Sequence, residues 1–109
     1  MTRVVNTKPL RAVIERIAKA AIRGRTQDGQ EFFEVGATGV SITHGFSHAQ
    51  KKRAVLLCAT GPRGEVSVFI DYEQHPSNNA LRQVIAAAVR SLVARVEGAQ
   101  ATTVEGILQ

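Results

Sequence analysis

The sequence predicts an α+β fold in the order α-β-β-β-β-α, a four-stranded antiparallel meander with two helices packed on one of its faces. Three observations predict it. Residues 53–72 read as a hairpin, in which two β-rich runs, 54–60 and 65–72, surround Gly61-Pro62-Arg63-Gly64. The glycines of that four-residue connection permit positive φ, and its proline fixes its own φ at about −65°. Two shorter β-rich runs, 31–35 and 40–43, precede the hairpin, so four strands follow one another with short links. Segments of helical period flank the set, at 9–23 and 79–97. One domain over residues 1–98 accounts for all of this, and 99–109 form a tail without periodicity, whose Val104, Ile107 and Leu108 could dock on the fold or on a partner.

Residues 1–8 read as an extended lead-in. In the first helix Asn6 or Thr7 offers a cap, Pro9 suits the first turn, and Leu10, Val13, Ile14, Ile17 and Ala21 recur on one face. Arg16, Lys19 and Arg23 project together on the opposite face as a basic stripe, and Gly24 is the expected stop. Arg25 follows in a polar turn. The link between the first two strands, residues 36–39, is rich in glycine and small residues.

Residues 44–53, HGFSHAQKKR, are expected to be the longest loop within the sheet. Phe46, His44, His48, Lys51, Lys52 and Arg53 would all be displayed there, and loops on a rigid scaffold commonly carry binding function. The run that follows, 54–59, is apolar without a break, which predicts a strand covered on both faces with Cys58 as a small buried hydrophobe. Next, Val66, Val68, Ile70 and Tyr72 alternate with Glu65, Ser67, Phe69 and Asp71, the pattern of a strand with one buried face. Ser77 or Asn78 should cap the second helix, whose Leu81, Val84, Ile85, Ala88, Val89, Leu92 and Val96 lie on one side. If the valines of the fourth strand face the helices, Phe69 faces away, together with Phe32 or Phe33. That apolar patch, or an open sheet edge, would support a homo-oligomer or a protein partner.

The net charge of +5 and sequence pI near 10.2 are unevenly placed, since residues 1–30 hold seven basic side chains against two acidic ones. A local basic excess favours an anionic partner, nucleic acid ahead of a membrane surface. No run reaches the length of a membrane span and no signal-peptide pattern opens the chain, so cytoplasm is the expected compartment. A single cysteine excludes an intrachain disulfide.

Catalytic constellations are weak. His44 and His48 are four apart, but turn residues surround them and nothing completes a ligand set, so no metal site is expected and exposed loop histidines are the simpler reading. Ser47 beside His48 and Cys58 with a histidine lack triad geometry. Asp71 and Glu73 read as strand-end acids, and the glycine spacings match no phosphate-binding motif. The expectation is a binding module that is not an enzyme and takes no cofactor. In the first reading it is a small basic nucleic-acid-binding module. Arg16, Lys19, Arg23 and Arg25 contact phosphates from the helix, and Lys51, Lys52, Arg53 and Arg63 from the hairpin loops, without sequence preference. Phe46, or Phe69 and Phe32, would stack on unpaired bases and favour single strands. The alternative is a protein-interaction or regulatory domain, such as an inhibitor, that docks through Phe69 and Phe32 on the open sheet face or along a sheet edge. The two readings part on whether the basic clusters share one surface.

Overall fold

The computed structural model describes residues 7–97; residues 1–6 and the tail lie outside them, and Thr7 and Lys8, expected in an extended lead-in, already belong to the first helix. Its elements are α1 (Thr7–Arg23), β1 (Gly29–Val35), β2 (Thr38–Ser47), β3 (Lys52–Gly61), β4 (Gly64–Asp71), a 3-10 turn over Tyr72–Gln74, and α2 (Asn78–Glu97). The strands pair in the order β1-β2-β3-β4, every pair antiparallel, and both helices cover one face. The α+β meander is thus as the sequence predicts.

Apolar periodicity drives the assembly. On α1, Val13, Ile14, Ile17, Ala18, Ala20 and Ala21 are buried while Arg11, Glu15, Arg16, Lys19 and Arg23 are exposed. On α2 the buried set is Leu81, Ile85, Val89, Leu92, Val93 and Val96. Small alanines on α1 allow the two helices to lie side by side over the sheet, and Val40, Ile42, Val55, Leu57, Ala59 and Ile70 rise from the strands to meet them. Ser77 caps α2, its Oγ accepting from the Ala80 N–H at 3.0 Å. The 3-10 turn is capped in the same way, Asp71 Oδ1 accepting from the Glu73 N–H at 2.8 Å.

Three expectations are corrected. The loop expected over 44–53 does not exist as such, because β2 continues to Ser47 and β3 starts at Lys52. Only residues 48–51 turn, with Lys51 at φ 60 closing the hairpin. Ladder pairing from His44↔Val55 to Ser47↔Lys52 outweighs the turn-forming residues His44-Gly45-Phe46-Ser47. Secondly, β3 is fully buried on one face only, Ala54 alone being buried on the other. Val55, Leu57 and Ala59 enter the core, whereas Leu56 and Cys58 are half-buried on the uncovered face. Thirdly, the connection between β3 and β4 is tighter than four residues, since Gly61 and Gly64 pair across a two-residue Pro62-Arg63 loop, with Gly64 at φ 121.

Candidate interaction surface

The uncovered face of the sheet carries alternate residues of each strand. Gln30, Phe32 and Glu34 come from β1, Ser41, Thr43 and Gly45 from β2, Ala54, Leu56, Cys58 and Thr60 from β3, and Glu65, Ser67 and Phe69 from β4. Small and medium side chains occupy the two middle strands, and the two phenylalanines stand on the outer ones. Phe32 is 74% exposed and Phe69 53%. Three strand spacings separate their strands, roughly 14 Å. The result is a shallow trough with aromatic rims and a floor of Ser41, Thr43, Leu56 and Cys58.

Two concavities lie in it. One, of about 410 Å³, is lined by Asp28, Thr43, Gly45, Phe46, Leu56 and Phe69 among others. The other, of about 290 Å³, is bordered by Phe32, Ser41, Cys58 and Thr60, with Glu34 and Glu65 beside them. The charged side chains lining these two are carboxylates, and none is a lysine or arginine. Lys52 reaches the same face at its end, but its ammonium is held by Asp71 at 2.8 Å. That contact raises the Lys52 pKa, first through the hydrogen bond and then through the charge, and the same hydrogen bond, followed by the one from the Glu73 N–H, lowers that of Asp71.

Cys58 donates its thiol hydrogen to Glu65 Oε2 at 3.0 Å. The carboxylate, and after it partial burial, push the thiol pKa up, so the sulfur stays protonated at neutral pH and is a poor nucleophile. The expected fully buried cysteine is therefore a half-exposed member of the trough floor.

The basic residues are dispersed. Arg23 pairs with Glu31. Arg25 donates to the His75 and Ser77 carbonyls at 2.8 and 3.1 Å and to Asn78 Oδ1 at 2.8 Å, over the Tyr72 ring. Arg53 donates to the Gly24 and Gln27 carbonyls and pairs with Asp28 at 2.9 Å. With Lys52 bound to Asp71, four of the eight expected phosphate contacts tie the molecule to itself. Arg16 and Lys19 are exposed on the outer side of α1, behind the sheet, while Lys51 and Arg63 sit in turns at opposite ends of β3, about 30 Å apart. Phe46 is 48% exposed at the end of β2, its ring edge-on to His48 at 5.1 Å.

His44, expected in an exposed loop, is buried, with its Nδ1 2.8 Å from the Gln27 carbonyl. Close to it lies the tightest junction of the fold. Gly24 approaches the His44 ring and the Tyr72 hydroxyl, which donates to the Ala21 carbonyl at 2.6 Å. Sequence reasoning missed this cluster, because residues 24, 44, 53 and 72 meet only when α1, β2, β3 and the 3-10 turn come together. No protein-family model, curated protein or solved structure matches the chain.

Proposed function

We propose that the chain is a protein-interaction module that seats a basic amphipathic helix of a partner protein in the trough of its uncovered sheet face. The observation that carries this reading is the chemistry of that face, where apolar rims and a small-residue floor are accompanied by Glu34 and Glu65 and by no free cation among the described residues. A helix is about 10–12 Å across, which fits between rims roughly 14 Å apart. Its apolar stripe would lie on Leu56, Cys58 and the two phenylalanines, and its lysines or arginines would reach the carboxylates. A polyphosphate strand suits this surface poorly. The aromatic rings that could stack on bases stand among carboxylates, and the exposed cations Arg16 and Lys19 are on the far side of the molecule.

The test is titration of the full chain with a synthetic leucine-lysine amphipathic helix, its leucine-glutamate analogue, and labelled single-stranded DNA and RNA, by fluorescence anisotropy. Saturable binding of the basic helix alone is expected, weakened roughly tenfold by Phe69→Ala and again by Glu65→Gln. Tight, salt-sensitive binding of DNA or RNA, lost in Arg16→Ala/Lys19→Ala and kept in Phe69→Ala, would return the basic helix face to the position of functional site.

A further inference from the structure

Among the described residues, the edge formed by β4 lacks along its middle the charges that the edge formed by β1 carries in Glu31 and Glu34. Over β1, Phe33 and Val35 pack against the core beside α1, and Arg23 of α1 pairs with Glu31. Helix α2 lies chiefly over β3, so on the helix side of β4 Ile70 is buried and Val66 half-buried but Val68 is 36% exposed, and Phe69 is exposed on the other side. Between Glu65 and Asp71 the strand holds no charge, no proline and no break in its pairing with β3. These are the devices that ordinarily keep an edge strand from pairing, and β4 lacks them along Val66–Ile70, its residues 66–70.

We infer that β4 pairs with β4 of a second copy, antiparallel about a twofold axis at Ser67, joining two four-stranded sheets into one of eight. In that register Val66 lies opposite Val68 of the partner subunit on the helix side. Glu65 lies opposite Phe69 of the partner subunit on the uncovered side, and Arg63 opposite Asp71 of the partner subunit. The register is self-complementary in charge. Arg63, an exposed cation whose backbone N–H is anchored on the Val96 carbonyl at 2.8 Å, would meet a carboxylate that already draws cations through Lys52. An axis one residue later, at Val68, would set Glu65 against Asp71 of the partner subunit, like charges face to face. An axis one residue earlier, at Val66, would leave Val68 opposite Gly64 of the partner subunit and still exposed. The dyad at Ser67 alone among these covers Val68 without setting like charges against each other. It also makes one continuous uncovered face with a Phe69 ring on each side of the axis.

The full chain is examined by sedimentation equilibrium over a concentration series, with Val68→Lys and Arg63→Asp alongside and the thermal unfolding of each variant recorded. Expected is a wild-type mass of two chains, Val68→Lys folded and monomeric, and Arg63→Asp dissociating at concentrations roughly tenfold higher than wild type. In a Cys58→Ser background, Ser67→Cys should form an interchain disulfide on mild oxidation and Glu65→Cys should not, because only residue 67 faces itself across the axis. If Val68→Lys fails to fold, this pair of cysteine variants decides alone. A monomer at every concentration would overturn the inference, as would a dimer that survives Val68→Lys or one that Phe32→Ala dissolves. Titrating Val68→Lys with the leucine-lysine helix keeps the two readings apart, since the trough floor is complete within one chain.

Discussion

Tyr72 is the only tyrosine and the chain has no tryptophan, so its phenol can be followed directly by ultraviolet absorbance. Burial raises its pKa to about 12, with the Arg53 and Arg25 charges pulling the other way. A group whose folded pKa lies above its unfolded value contributes stability that is complete below the unfolded pKa and is lost as pH climbs through the folded one. Stability to urea should thus be level up to about pH 10 and fall between about pH 10 and 12. Tyr72→Phe should shrink that phase to the part left by Lys52, whose pKa is raised too, and cost about 1 kcal/mol, a modest loss because the Ala21 carbonyl keeps the Gly24 N–H as a donor at 3.1 Å. Gly24→Ala should be worse. A Cβ there would lie 2.5 Å from His44 Cγ and against the Tyr72 hydroxyl, both on buried side chains with no room to retreat, so a loss of about 1–3 kcal/mol or more is expected in denaturant titration. Neither residue is marked in the sequence. Tyr72 reads there as the end of a strand and Gly24 as a helix stop, and the reason for each lies in residues twenty or more positions away.

Between elements two of the connections are made by cations. Arg25 spans from the end of α1 to the start of α2, and its planar fork serves the His75 and Ser77 carbonyls and Asn78 at once. Arg25→Ala should destabilise by about 1–3 kcal/mol, and Arg25→Lys should recover little, since an ammonium cannot reproduce the fork. Differential scanning calorimetry of the two variants would check this. Across β3 and β4 the Lys52–Asp71 pair works through an Asp71 pKa held below the ordinary carboxylate value. Its contribution is present above the unfolded pKa and disappears as pH falls through the folded one. Asp71→Asn should therefore flatten the acid limb of stability below about pH 4, and added salt should do so in part, because the pair is solvent-exposed. The periodicity of α1 and α2 and the strand alternation were legible because each is written within a single element. The length of β2 was not, because pairing with β3 sets it.

The whole molecule keeps its two chemistries on opposite sides. Cations that remain exposed on α1 lie behind the helix layer, and the aromatic trough with its carboxylates lies in front of the sheet. Arg16→Ala/Lys19→Ala should accordingly change stability by no more than about 0.5 kcal/mol and leave affinity for the leucine-lysine helix unaltered. Glu34→Gln/Glu65→Gln should lower that affinity and reduce its salt dependence, as read by anisotropy at two ionic strengths. Sequence alone determined the order of elements, the apolar face of each helix, and that Phe69 and one of Phe32 and Phe33 face outward, since periods of 3.6 and 2 fix which side chains share a face. Tertiary structure decided which charges are free. Charge is counted along the chain, but whether Arg25, Lys52 or Arg53 is available to a partner depends on carbonyls and carboxylates that only folding brings within about 3 Å. It decided the exposure of Val68 and Cys58 too, because a helix covers as much of a sheet as its width allows, and no residue within β3 or β4 records where that cover ends.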